Sequence, residues 1–144
     1  MENATHDSET FELLNVKQPM LRNILLVEDE KLLQEAICKL LEPMGFEVTI
    51  ARRGFEALSL FVDNIFSVVI TDFAISHMNS LLLAANIRKL SPATPVILLV
   101  GGESEDDINN LETGKELFYS IIFKPFKMNE LKSAIDGALI YGYR

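Results

Sequence analysis

Short apolar runs alternate along this chain with longer segments in which apolar residues recur at helical spacing, and this alternation restricts the fold more than any other feature. The apolar runs predict five strands, at 23–28, 46–51, 66–72, 95–100 and 119–124. The remaining segments predict five helices, at 33–44, 54–62, 80–90, 103–113 and 128–142. Because apolar strands alternate with helices, we expect an α/β protein whose parallel sheet is covered on both sides.

Length, charge and cysteine usage narrow the class of protein. The chain has 144 residues and a net charge of −8, so we expect one folded domain and no direct nucleic-acid partner, because phosphate binding needs clustered Lys and Arg. No apolar run reaches the about 18–20 residues that span a bilayer, and the single cysteine, Cys38, suits a reducing cytosol. We therefore expect a cytoplasmic protein without a membrane segment, with a flexible acidic tail over 1–20 and the domain over 21–144.

Charged residues stand where three of the predicted strands end. Glu28 and Asp29 follow the first strand, Asp72 ends the third and Lys124 ends the fifth. An isolated acid at such a position is more often a helix cap or a turn former. The carboxyl ends of parallel strands meet at one edge of the sheet, however, and ligands of such folds bind there. Two carboxylates at this edge would suit a small hard cation such as Mg²⁺, and an ammonium group beside them would suit an arriving anion.

The strand ends belong to four motifs, namely ILLVEDE (24–30), VVITD (68–72), PVILLV (95–100) and KPF (124–126). In this order and spacing they resemble the receiver domain of two-component response regulators. The resemblance implies a flavodoxin-like, doubly wound sheet with strand order 2-1-3-4-5. It implies that Asp72 is the phosphoacceptor, which takes a phosphoryl group from a sensor histidine kinase or a phosphotransfer protein. It also implies a catalytic Lys124 and a cis peptide bond between Lys124 and Pro125.

The same resemblance implies a Mg²⁺ cofactor. The metal would be held by Asp29, Asp72 and the backbone carbonyl of Ala74, with Glu28 taking part indirectly. Mg²⁺ and Lys124 would offset the repulsion between the acceptor carboxylate and the phosphoryl group. The chain would then assist its own phosphorylation and dephosphorylation without being an enzyme that acts on other molecules.

Two positions depart from the family pattern. The fourth strand of the family normally ends in Thr or Ser, whose hydroxyl binds the phosphoryl group, whereas Val100 stands here. An aromatic residue usually lies three positions before the lysine, whereas Ile121 stands here. Because a hydrogen bond to a charged group is worth roughly 1.5–3 kcal/mol, we expect phosphorylation to be coupled to shape weakly or by an unconventional route. The alternative is ordinary family variation, in which another donor binds the phosphoryl oxygen.

The resemblance implies a protein–protein switch, whose downstream partner binds the face formed by the fourth helix, the fifth strand and the fifth helix. The apolar residues Ile140, Tyr141 and Tyr143 either form a homodimer face or complete the core. The alternative function is a phosphorylation-independent pseudo-receiver adaptor, which Val100 and Ile121 favour and the intact acids and lysine oppose. A cofactor binder or a small phosphotransferase ranks last, because the chain has no Gly-rich phosphate loop.

Overall fold

A five-stranded parallel sheet forms the centre of the molecule. The computed structural model describes residues 22–141, so the predicted tail over 1–20 and residues 142–144 lie outside the described part. The strands are β1 (Asn23–Val27), β2 (Glu47–Ala51), β3 (Val68–Asp72), β4 (Val96–Val100) and β5 (Ser120–Phe123). Their order is β2-β1-β3-β4-β5, and every neighbouring pair is parallel. The predicted α/β fold and the strand order 2-1-3-4-5 are confirmed.

Five helices connect and cover the strands. They are α1 (Lys31–Leu41), α2 (Gly54–Asp63), α3 (Ser80–Leu90), α4 (Glu105–Gly114) and α5 (Met128–Tyr141). The predicted bounds of α2, α3 and α4 agree to within two residues. The predicted first helix extends too far, because the α-helix ends at Leu41 and a 3₁₀ turn over Glu42–Met44, which contains Pro43, follows it. Gly45, at φ 93°, ends this turn in the left-handed conformation that glycine adopts at low cost.

The two faces of the sheet carry separate apolar layers. Alternate strand residues, among them Leu25, Val69 and Leu98, pack with α2, α3 and α4 on one face. The intervening residues, among them Ile70 and Ile97, pack with α1 and α5 on the other face. A fully buried Leu or Ile side chain contributes roughly 1.5–3 kcal/mol, so burial on both faces explains why the strands are continuous apolar runs.

The helices are anchored unequally. Among the described residues, three are buried in each of α1, α2 and α5, and four are buried in α3. Of the described residues of α4, only Leu111 is buried. The amino-terminal end of α4 is instead fixed by a capping box, in which Ser104 Oγ accepts from Asp107 N and Asp107 Oδ2 accepts from Ser104 N, at 3.2 and 3.3 Å.

The register of the sheet brings the charged strand ends together. Val27 is paired with Thr71, and Asp72 is paired with Leu99. Backbone hydrogen bonds then continue each ladder by one residue, from Glu28 N to Ala51 O at 2.9 Å and from Lys124 N to Val100 O at 2.7 Å. Glu28, Asp72 and Lys124 therefore lie at one edge of the sheet, as predicted.

The carboxyl-terminal helix leaves apolar side chains on the surface. Ile140 is 67% exposed and Tyr141 is 52% exposed, so the interpretation that these two residues complete the core is wrong, while Tyr143 lies outside the described residues. Within residues 22–141, no helix has the length and apolar character needed to cross a bilayer.

Candidate phosphoacceptor site

Glu28 is a buried acid at the end of β1, with 1% of its surface exposed. Its Oε2 accepts a hydrogen bond from Glu30 N at 3.1 Å, and its backbone carbonyl accepts one from Gln34 Nε2 at 2.5 Å. No hydrogen-bond donor from the described residues reaches Oε1. Burial, and then the charge of Asp72, raise the pKa of Glu28 from 4.5 to about 6. Glu28 thus adds negative potential to the interior side of the site.

Asp72 and Lys124 form an ion pair at the centre of this edge. Lys124 Nζ lies 2.7 Å from Asp72 Oδ1, and within residues 22–141 that oxygen has no further partner. Asp72 is 8% exposed, so its carboxylate is held at the tip of a buried strand and still reaches the surface. Burial lowers the pKa of Lys124, but the hydrogen bond and charge of Asp72, followed by the charges of Glu28 and Glu30, raise it above its usual range. The ammonium group therefore keeps its positive charge beside Asp72 at neutral pH.

Gly101 makes room for the lysine. A Cβ atom at Gly101 would lie 2.7 Å from Lys124 Cβ and 3.0 Å from Lys124 Cδ, closer than side chains pack. The stem of Lys124 therefore passes directly over the backbone of residue 101 on its way to Asp72. The peptide bond between Lys124 and Pro125 is cis, as the resemblance implies.

Comparison with known proteins decides the family. Residues 24–136 match the family model described as the response regulator receiver domain. The chain belongs to this family.

Relatives and solved structures agree with the receiver fold. The uncharacterized transcriptional regulatory protein YkoG of Bacillus subtilis is 33% identical over 81% of this chain and 50% of its own length. The transcriptional regulatory protein DltR of Streptococcus agalactiae is 31% identical over 78% of this chain and 49% of its own. A receiver domain from Clostridium thermocellum has a TM-score of 0.72 at 32% identity, covering 82% of this chain and 94% of the other.

The receiver chain spans about half the length of these curated relatives. Because the relatives are named as transcriptional regulators, they give no support to the expectation that nucleic acid is absent from the partners. Receiver domains as a family pair with histidine kinases and bind Mg²⁺ for phosphorylation.

The acidic residues at this edge of the sheet supply carboxylate oxygens, the ligands that a hard cation such as Mg²⁺ prefers. Glu28 Oε1 is a buried oxygen without a hydrogen-bond donor from the described part of the chain, Asp72 Oδ1 is paired with Lys124 Nζ, and Asp29 is exposed beside them. Residues 22–141 contain no group of three or more His, Cys, Asp or Glu side chains that could hold a metal by themselves. Mg²⁺ needs no such group, because it keeps several water ligands and is usually bound by one or two carboxylates.

The two departures from the family pattern lie where the sequence predicts them. Val100 is 2% exposed and belongs to the core layer beneath α4, so an apolar side chain occupies the end of β4. Ile121 is half-buried and packs against the same layer from β5. On β3, the buried hydroxyl of Thr71 donates to the carbonyl of Asp72 at 3.0 Å, so it is engaged with the backbone.

One polar contact of the site has no counterpart in the sequence analysis. Glu103 Oε1 accepts a hydrogen bond from Gly101 N at 2.5 Å, so a carboxylate from the loop before α4 turns back toward the end of β4. The only sequence signal is an acid placed two residues after a glycine, a pattern too common to predict a contact. His77 is exposed, at a φ of 69°.

Proposed function

We propose that this receiver domain accepts a phosphoryl group on Asp72 from the phosphohistidine of a sensor histidine kinase or a phosphotransfer protein. The observation that carries the proposal is the ion pair between Lys124 Nζ and Asp72 Oδ1 at 2.7 Å. A carboxylate that is nearly buried, and whose paired oxygen has no other donor in residues 22–141, is available for nucleophilic attack at one edge of the sheet.

In the proposed transfer, an oxygen of Asp72 bonds to phosphorus as the bond between phosphorus and the histidine nitrogen of the donor breaks. Lys124 holds its positive charge beside the acceptor and offsets the repulsion between the carboxylate and the phosphoryl oxygens. Asp29, Asp72 and the backbone carbonyl of Ala74 would hold Mg²⁺, while Glu28 would add negative charge behind them. When bound, the metal neutralises charge that develops on the transferring group.

The chain is proposed as a switch that assists its own phosphorylation and dephosphorylation, rather than as an enzyme acting on other substrates. Ala74 and Gly102 are both exposed, which leaves water a path to a phosphoryl group on Asp72. The cytoplasm is the proposed location, because the chain has a single cysteine and a kinase partner of this kind presents its phosphohistidine there.

The face of α4, β5 and α5 is the proposed site for a downstream protein. Tyr119 is 40% exposed and Phe123 is 60% exposed, and a groove of about 850 Å³ runs between β5 and α5. Aromatic side chains are enriched where proteins bind one another. The transcriptional names of the relatives make regulation of DNA a further route for the signal, although the net charge of −8 argues against direct contact between this domain and DNA.

The proposal is tested by the intact mass of the protein after incubation with Mg²⁺ and acetyl phosphate, at short times and in the cold. A phosphoryl adduct is expected on the wild type and on the control variant Asp136→Asn, whose carboxylate pairs with Lys132 on the surface of α5. No adduct is expected on Asp72→Asn. Equal labelling of Asp72→Asn, or no adduct on any variant, would contradict the proposal and move the adaptor function ahead.

A further inference from the structure

The loop between β4 and α4 places the carboxylate of Glu103 against the end of β4. Glu103 Oε1 accepts from Gly101 N, and Gly101 lies against the stem of Lys124. Lys124 in turn lies 2.7 Å from Asp72. Gly101 therefore lies between Glu103, which its amide binds, and Lys124, which pairs with Asp72.

A phosphoryl group on Asp72 would need hydrogen-bond donors at this edge. It carries a charge of about −1.5 to −2 and three strong acceptor oxygens. The side chain at the end of β4 offers no donor, because Val100 is apolar. The next donor along the chain is the backbone amide of Gly101, which Glu103 already engages with an oxygen of the same charge sign as the phosphoryl group.

We propose that Glu103 competes with the phosphoryl group for the amide of Gly101, and that displacement of Glu103 carries the phosphorylation signal to α4. The inference rests on the proposed function of Asp72. Glu103 immediately precedes Ser104, the capping residue of α4. Displacement of Glu103 would therefore move the adjacent capping residue and, with it, the first turn of α4.

The backbone of the loop allows such a movement. Gly102 has a φ of 78°, and a Cβ atom there would meet no atom within 4 Å, so the residue between donor and carboxylate is not packed against the rest of the fold. Glu103 is half-exposed and Ser104 is exposed. A rotation of the loop can release the carboxylate into water without disturbing the core.

The experiment measures binding of beryllofluoride, a phosphoryl analogue, in the presence of saturating Mg²⁺. The variants are Glu103→Gln and Glu103→Ala, and the matched control is Glu105→Gln, which removes the same charge from an exposed residue in the first turn of α4. Beryllofluoride is expected to bind both Glu103 variants at least about tenfold more tightly than the wild type. Binding to Glu105→Gln is expected to stay within about twofold, because its charge lies outside the contact.

A second readout identifies the amide itself. In the nuclear magnetic resonance spectrum of the wild type, beryllofluoride is expected to move the amide signals of Gly101 and Ser104. In the free Glu103→Ala variant, the signal of Gly101 is expected to be shifted already, because its acceptor has been removed. Thermal unfolding of the three variants is expected to be nearly unchanged, which separates the competition from a loss of structure.

The outcomes separate this inference from the proposed function. Equal affinity of the wild type and both Glu103 variants, or an equal gain in Glu105→Gln, would overturn the role of Glu103 and leave Asp72 as the acceptor. Beryllofluoride that binds no variant would overturn both. Binding that appears only after Glu103 is replaced would support the competition most strongly.

Discussion

Glu28 gives the most direct quantitative prediction, because replacing it with Gln removes an unfavourable buried charge. Burial and the neighbouring Asp72 raise the pKa of Glu28 from 4.5 to about 6. The folded state therefore binds more protons than the unfolded state between these two values, and stability falls as the pH rises through them. At about 1.4 kcal/mol for each pKa unit, the ionised form of Glu28 makes the fold about 2 kcal/mol less stable above this range than below it.

Glu28→Gln keeps the size of the side chain and its acceptor for the amide of Glu30. We expect the variant to be more stable than the wild type by about 2 kcal/mol at about pH 8. At about pH 4 the wild-type side chain is protonated, and the two proteins are expected to differ by less than about 0.5 kcal/mol.

The assay is urea unfolding at both pH values in metal-free buffer, with Glu35→Gln as the control because Glu35 is an exposed acid on α1. The control is expected to change the free energy of unfolding by less than about 0.5 kcal/mol. A Glu28→Gln variant that is destabilised at the higher pH, or whose effect is the same at both pH values, would refute the reasoning. Such a result would mean that the carboxylate of Glu28 is stabilised by its surroundings.

Two further substitutions test the packing of Lys124 on Gly101 and the absence of a hydroxyl at position 100. Gly101→Ala places a Cβ 2.7 Å from Lys124 Cβ. We expect the free energy of unfolding in urea to fall by about 1–3 kcal/mol and labelling by acetyl phosphate to become slower. Unchanged values in both assays would contradict the packing of Lys124 on Gly101. Val100→Thr places a hydroxyl at the buried end of β4. We expect beryllofluoride, measured by titration, to bind this variant roughly tenfold more tightly than the wild type. An unchanged affinity would show that another donor already binds the phosphoryl group.

The sheet and the placement of the charged strand ends could be predicted from the sequence because both follow from a regular pattern. Continuous apolar runs require burial on both faces, and parallel pairing then sets Glu28, Asp72 and Lys124 at one edge whatever the loops do. The same reasoning could not place the end of α1, since the helical spacing of apolar residues continues to Met44 although Pro43 lies in a separate 3₁₀ turn.

The contacts of the β4–α4 loop could not be predicted in this way. The packing of Lys124 on Gly101 and the return of Glu103 to the amide of Gly101 both depend on the path of the loop, which passes through a left-handed residue at Gly102. Spacing along the sequence states how far apart two residues are in the chain, but it does not fix backbone angles. The pattern of strands therefore places Asp72 at the edge of the sheet but does not predict the contact of Glu103 with Gly101.

The low burial of α4 affects how easily this helix can rearrange within the domain. With Leu111 as its one buried residue among those described, α4 buries fewer residues than any of the other helices, so we expect its local opening free energy to be at the low end of the range within the fold. A rearrangement of α4 can then occur while the sheet and the remaining helices stay intact. We therefore expect a binding partner to contact an element that rearranges more easily than the sheet beneath it.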